Sequence, residues 1–302
     1  MKKSSCELFA KYFSSGFKVE DFYSTVIANC VFNGFLSYTT ITLNIVTIHA
    51  IRKNSSLPKT LRTLLLILAV SDVFVGLMIQ PFYISVLLRG LQQNIAACSA
   101  NEAFEMIVVL FSTASFWGVV TISVDRFLAL HFYLRYQELV THKRVVAVII
   151  SIWLYSAFLS SMALWVPPNI QSHFISIELS LVFFFTTLAY IRIYLAVRRH
   201  KNQIRVQQVQ NAANFASLIK SAVGTFYVFL VFLACYLPSF ICLTAIAIYG
   251  PNVALNRLFL FSLVFLNSTL NPVIYCWKMR QIRHTVMNIL RSMSWFRINE
   301  AP

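Results

Sequence analysis

The chain has 302 residues, 58% of them hydrophobic and only 12% charged, with a mean hydropathy of +0.71. A soluble domain of this length needs far more polar surface, so the composition excludes an ordinary water-exposed fold and points to runs that each cross about 30 Å of hydrocarbon in about 20 helical residues. The net charge of +15 does not imply nucleic acid, because the Lys and Arg residues stand in short clusters between apolar runs and form no continuous face.

Residues 1–23 begin with Lys2 and Lys3, and Ser4 to Asp21 contains no continuous apolar core. This segment is read as an extracellular N-terminus, with the first span as its own anchor in place of a cleaved signal peptide. Apolar runs then predict spans at 24–51, 61–88, 103–130, 145–166, 174–197, 222–249 and 254–277. Their connections are short. They lack both the two-residue alternation of a membrane barrel and the internal repeat that marks many transporters. With the N-terminus outside, the outer segments hold Lys2, Lys3, Lys11, Lys18, Arg89 and Arg257, which is six of the 25 Lys and Arg residues. The positive-inside rule therefore places the C-terminus in the cytosol. After the seventh span, Met279, Ile282, Val286, Ile289 and Met293 recur at helical spacing among Lys278, Arg280, Arg283 and Arg291. That pattern predicts a basic amphipathic helix on the inner leaflet within 278–302, the alternative being a disordered basic tail. The expected fold is an all-α membrane protein, a seven-transmembrane helix bundle over 24–277 followed by a short amphipathic cytoplasmic helix.

Several polar residues interrupt the apolar runs. Asp72 lies within Leu64 to Met78, where a carboxylate in a lone span costs about 2.5–3.5 kcal/mol, so it must face the bundle interior. Measured from the basic residue at each inner end, Asn44 is eight residues from Arg52, Asp72 ten from Arg62, Ser115 eleven from Arg126 and Asn271 seven from Lys278. At about 1.5 Å per residue the four share one layer, roughly 10–17 Å above the inner boundary. They form a polar core, or each bonds its own helix backbone; for Asp72 a backbone carbonyl does not suffice. Pro81, Pro238 and Pro272 lie inside spans two, six and seven, marking hinges or packing bends. The six cysteines, Cys6, Cys30, Cys98, Cys235, Cys242 and Cys276, stand singly, with no spacing suited to zinc. Cys6 and Cys98 both fall on the outer, oxidising side and form a candidate disulfide, although sequence does not fix connectivity.

The chain carries, in order, Leu43-Asn44-Ile45-Val46, Leu68-Ala69-Val70-Ser71-Asp72, Ile122-Ser123-Val124-Asp125-Arg126-Phe127, Trp153, Tyr190, Phe232 with Cys235-Tyr236-Leu237-Pro238, and Asn267-Ser268-Thr269-Leu270-Asn271-Pro272-Val273-Ile274-Tyr275. This ordered set resembles the rhodopsin-like (class A) G-protein-coupled receptors from the first helix to the tail. The short second outer segment, about Val166 to His173, and Val182 in place of a fifth-helix proline resemble melanocortin-type receptors, whereas Tyr275 to Leu290 looks more like adenosine-type receptors.

The resemblance implies a heterotrimeric G protein as partner and a plasma-membrane location. It also implies a switch in which Asp125 holds Arg126 at rest. Ligand binding would swing helix six outward below Pro238, while Tyr190 and Tyr275 turn inward to support the freed Arg126. Phe232, Tyr236, Asn271 and Pro272 complete the implied switch, and an ordinary boundary ion pair is the alternative for Asp125 and Arg126. Asp72, Ser115, Asn267 and Asn271 are similar to the family's allosteric sodium pocket. Several departures suggest that the usual connector between pocket and G-protein site is rebuilt: Phe127 and Tyr236 replace the family's tyrosine and tryptophan, and Tyr133 stands where proline is common. Asn101 occupies the usual third-helix cysteine position, so the family's common disulfide cannot form.

No Ser/His pair or metal set within the spans supports an enzyme, and no cofactor is expected besides sodium. Phe265 replaces the lysine that retinal needs, and Val108 replaces the aspartate of monoamine receptors. The remaining ligands are an extracellular small molecule or a short peptide. Glu105, Val108, Ser112 and Ser115 follow at helical spacing, with Glu102 one turn from Glu105 and Glu178 four residues before Val182. These acids suggest an electronegative mouth that suits a cationic ligand, with Val108 and Tyr236 lining the pocket. The alternative is a solvated Glu102 and a Glu178 that is protonated or bonded to a neighbouring helix. Two other functions stay open: a chemosensory receptor of the same fold, and an ion-coupled transporter using Asp72.

Overall fold

The computed structural model describes residues 19–54, 57–91, 97–132, 135–203, 209–249, 258–279, 282–289 and 291. Seven helices long and apolar enough to cross a membrane pack into one bundle: α1 (Val19–Lys53), α2 (Lys59–Leu91), α3 (Ala97–His131), α4 (His142–Ser161), α5 (Pro168–Gln203), α6 (Val209–Tyr249) and α7 (Leu258–Lys278). Among the described residues there is no strand. In hydrocarbon only a helix pairs every backbone group within one segment. The side chains left outward are accordingly large and apolar, such as Val31, Phe35, Leu154 and Phe158. α3 runs through the centre, against α2, α4, α5 and α6.

The ends follow local chemistry. α1 stops at Arg52-Lys53, and the Asn54 N–H folds back onto Ala50 O and Ile51 O, at 3.1 and 3.3 Å. Pro58, with φ −52° and ψ 136°, starts α2, and its carbonyl accepts the Arg62 N–H at 2.9 Å. A one-turn helix, Tyr136–Leu139, follows α3, and Arg144 Nη1 caps its end by donating to Leu139 O at 2.8 Å. The sequence places α5 at 174–197, but the helix begins at Pro168, so the connection after the 3-10 turn Met162–Leu164 is only Trp165 to Pro167. Proline suits a first helical position, because its missing N–H would have no partner there. The Pro167 carbonyl takes the next free donors, from Ile170 and Gln171 at 3.0 and 3.1 Å.

α2 contains a π turn, Val75–Ile79, one turn before Pro81. There the Gln80 N–H bonds Val75 O, five residues back. The same register would pair Gly76 O with the nitrogen of Pro81, which carries no hydrogen. Ser37 of α1 supplies the missing donor, its hydroxyl 2.8 Å from Gly76 O. Gly76 lets the helices approach this closely: a Cβ there would meet Ile41 Cγ1 at 2.8 Å and Ser37 O at 3.2 Å. Gly76→Val is therefore expected to lower the melting temperature of the purified protein, since overpacking costs about 1–3 kcal/mol. At Gly34 an added Cβ meets nothing within 4 Å, so Gly34→Val is the silent control in the same thermal-shift measurement.

After α7, Met279 N donates to Tyr275 O at 2.9 Å, and a further helix, α8, covers 282–289. Met279, Ile282 and Val286 bury against Leu57, Leu61 and Tyr275, while Arg283, His284 and Asn288 stay exposed. The helix is amphipathic as its spacing predicts; Met293 lies outside the described residues.

Candidate functional site

The end of the bundle that carries the basic connections, called here the basic end, closes around Arg126. This side chain is the largest fully buried one among the described residues, at 1% exposure. Its Nε donates to Asp125 Oδ2 at 2.9 Å, and Nη2 forms a close ion pair with the same oxygen. Its Nη1 donates to Ser221 Oγ on α6 at 3.3 Å. The other oxygen, Asp125 Oδ1, accepts the Tyr136 hydroxyl at 2.6 Å, and Tyr136 also shares a hydrogen bond with Thr60 of α2 at 2.8 Å. Burial, with the neighbouring Asp125 charge, pushes the Tyr136 hydroxyl up to about 12, so it remains a proton donor through the physiological range. One carboxylate thus gathers α2, α3, the one-turn helix and, through Arg126, α6. Sequence reasoning identified Asp125 and Arg126 but missed Tyr136, Thr60 and Ser221. A second tie lies alongside: Lys278 Nζ sits 3.7 Å over the Tyr227 ring of α6 and 3.4 Å over the Trp277 ring of α7.

Tyr190 and Tyr275 stand deeper, both buried, with hydroxyls that find no hydrogen-bond partner among the described residues. Tyr190 stacks on Phe229 of α6 at 5.2 Å between centroids. Above them an aromatic knot joins α3, α5 and α6 beside Pro238. Phe116 meets Tyr236 edge-on at 4.7 Å and Phe232 at 5.7 Å, while Phe183 of α5 meets Phe232 at 5.9 Å and Phe240 at 5.5 Å. Val182 is fully buried in this cluster. Phe116 was missed, although it falls four residues after Ser112 on the stripe already read as inward.

The polar layer assembles from α1, α2 and α7. Asn271 Nδ2 donates to Asp72 Oδ2 at 3.0 Å, and Asn44 Nδ2 donates to Thr40 O and Ser268 O, at 2.9 and 3.0 Å. Four buried oxygens, on Asp72 (Oδ1), Asn44, Asn267 and Asn271, find no donor among the described residues. Ser115 is buried on α3. A group rich in acceptors and short of donors suits a hard cation, so the side chains present fit a sodium ion.

Towards the opposite end, Tyr83, Phe104, Phe261 and Phe265 pack ring against ring at 5.4–5.6 Å between α2, α3 and α7, and Val108 joins this cluster at 9% exposure. Glu105 is exposed on α3. Glu178 is 3% exposed and turns to α3: Trp117 Nε1 donates to its Oε1 at 2.9 Å and Thr113 Oγ1 to its Oε2 at 3.4 Å. Cys6 and the side chains of Cys98 and Glu102 lie outside the described residues.

Residues 43–172 match the family described as 7 transmembrane receptor (rhodopsin family). Over 272 residues the chain is 26% identical to melanocortin receptor 5 of Homo sapiens, covering 85% of this chain and 82% of that receptor. It is 27% identical over 286 residues to adenosine receptor A2a of Equus caballus, covering 82% and 68% respectively. With adenosine receptor A3 of Canis lupus familiaris it shares 25% identity over 276 residues, covering 82% and 86%.

Proposed function

We propose that this chain, which is a rhodopsin-like (class A) G-protein-coupled receptor and not an enzyme, lies in the plasma membrane with its N-terminus outside and its basic end in the cytosol, where it activates a heterotrimeric G protein on binding an extracellular small molecule or short peptide. The observation that carries this reading is the buried Asp125–Arg126 pair, closed by Tyr136 and by Ser221 of α6. Breaking the Arg126–Ser221 contact separates α6 from α3 and exposes a cation to a docking partner. The aromatic knot at Pro238 couples that separation to the other end of the bundle, and Tyr190 and Tyr275, both buried near the basic end, would turn to bond a released Arg126. The test is a ligand library screened on cells that carry activation sensors for each G-protein class. Ligand-dependent activation of one class supports the reading. Ion current or solute uptake that depends on Asp72, without any G-protein response, supports the transporter instead. A chemosensory role is separated by where the gene is expressed and by what activates the receptor.

The ligand's charge rests on Glu105. Glu178 accepts two hydrogen bonds from α3, so its carboxylate serves the α3–α5 contact, and Glu105 is, among the described residues, the acid on α3 that is exposed at the end of the bundle opposite the basic one. Glu105→Lys is expected to weaken a cationic agonist on the order of fivefold, and a neutral one little, because it replaces an attraction by a repulsion at a solvent-exposed site. An anionic agonist whose potency is untouched by Glu105→Lys would end the cationic reading.

A further inference from the structure

At the basic end, two different cations hold two faces of α6. Ser221 faces α3, where its hydroxyl accepts from Arg126 Nη1 at 3.3 Å. Six residues on, Tyr227 faces the end of α7. Lys278 Nζ lies 3.7 Å over the Tyr227 ring, which itself stands 5.3 Å from the Trp277 ring. The same ammonium lies 3.4 Å over Trp277, so two helices each offer it an aromatic face. Gly224 lets α6 come this close. A Cβ there would already touch Met279 Cγ at 3.4 Å and Lys278 Cβ at 3.6 Å, which leaves little room for a larger side chain. At about 100° and 1.5 Å per residue, Tyr227 lies about 120° round α6 from Ser221 and about 9 Å along it. A swing of α6 away from the bundle axis therefore has to break both contacts.

We propose that Lys278 is a second latch on α6, a cation–π clamp between α6 and α7 that opposes the outward swing independently of the Arg126–Ser221 contact. The ammonium is half-buried and, among the described residues, pairs with no carboxylate, so the two rings are its counter-surface. A clamp of this kind suits a reversible switch. At a half-exposed place a cation–π contact shifts an equilibrium only about two- to fivefold, and so opposes the swing without forbidding it. A buried ion pair, once broken, leaves an uncompensated charge behind. Lys278 avoids that penalty, because the long lysine stem lets a released ammonium reach water at the membrane boundary. The proposal rests on the reading of α6 as the moving helix of a receptor switch.

The experiment follows backbone hydrogen–deuterium exchange of the purified chain, without ligand or G protein, in the α6 stretch that contains Ser221 and Tyr227. Exchange there tracks how often the segment opens. Lys278→Gln is expected to speed it about two- to fivefold, while α4 keeps its wild-type rate. Tyr227→Leu should speed it as well, and the double variant should exchange no faster than Tyr227→Leu alone, because the same contact is already lost. Lys278→Arg, whose guanidinium also stacks on aromatic faces, should retain most of the protection. Basal G-protein activation is expected to rise in the same order. An α6 exchange rate unchanged by Lys278→Gln overturns the proposal. So do effects of Lys278→Gln and Tyr227→Leu that multiply in the double variant, which would mean that the two residues share no contact. An α6 loosened as much by Lys278→Arg as by Lys278→Gln overturns it too, since packing and not the cation would then hold the helix. Faster exchange without higher basal signalling, in cells where Asp125→Asn does raise it, would reduce the clamp to a structural brace and end its role as a latch. If no variant and no ligand activates any G protein, the proposed function falls, and the exchange rates still decide for or against the clamp.

Discussion

Arg126→Ala is expected to reduce agonist-stimulated G-protein activation to background while the receptor still reaches the cell surface. The guanidinium contributes little apolar packing. Its contacts are the Asp125 carboxylate and the Ser221 hydroxyl, which the proposed switch assigns to the resting arrangement. What alanine removes is the cation that a G protein would meet once α6 has moved. Asp125→Asn should act in the opposite direction. Hydrogen bonds to a charged group contribute about 1.5–3 kcal/mol, so weakening them shifts the resting-to-active ratio by roughly ten- to a hundredfold and raises basal signalling. Tyr136→Phe is expected to do the same to a smaller extent, since it removes a neutral donor from Asp125 Oδ1 while leaving the ion pair. The measurement is a nucleotide-exchange or cyclic-nucleotide reporter, normalised to surface receptor. Normal signalling by Arg126→Ala would sink the proposed mechanism, whatever the effect of the other two substitutions.

That ranking could be drawn only in part from sequence. The seven spans were legible because a membrane helix must be long, apolar and self-bonded, and those demands leave runs that nothing else explains. Their ends were less legible. Pro168 reads locally as a loop residue, and only the first-turn role of proline turns it into the start of α5. The π turn had a readable signal, a glycine five residues before Pro81, but its relief by Ser37 depends on which helix lies across from it. The same limit governs the site. Spacing placed Asp125 and Arg126 at the end of α3 and Asp72 in the middle of α2, because each is chemically conspicuous in an apolar run. Spacing does not say which neighbour a side chain faces, so Glu178 was left open between a ligand and an adjacent helix, and Trp117 was not connected to it. Tyr136, Thr60 and Ser221 are ordinary residues on three separate elements. They become a site only when the bundle brings them within hydrogen-bond distance of one ion pair.

Asp72→Asn is expected to remove the sodium dependence of agonist affinity, and the wild-type receptor to bind agonist more weakly in sodium than in a bulky organic cation of equal ionic strength. The chemistry comes from the oxygens. Asp72 commits one carboxylate oxygen to Asn271, and the other, with the side-chain oxygens of Asn44, Asn267 and Asn271, has no donor among the described residues. Buried acceptors left this way cost about 1–3 kcal/mol each, and a single bound cation would satisfy several at once. A cation held between α1, α2 and α7 also stabilises the arrangement that holds it. If that arrangement is the resting one, linkage requires sodium and agonist to oppose each other, by about 5- to 150-fold in affinity for couplings of about 1–3 kcal/mol. Asparagine keeps the size and one acceptor but removes the charge, so the agonist's affinity should rise to its sodium-free value and stop responding to the ion. Parallel binding curves in sodium and in the organic cation, for both wild type and Asp72→Asn, would instead assign Asp72 to a neutral carboxyl hydrogen-bonded to Asn271, and the unpartnered oxygens would then need water rather than a metal.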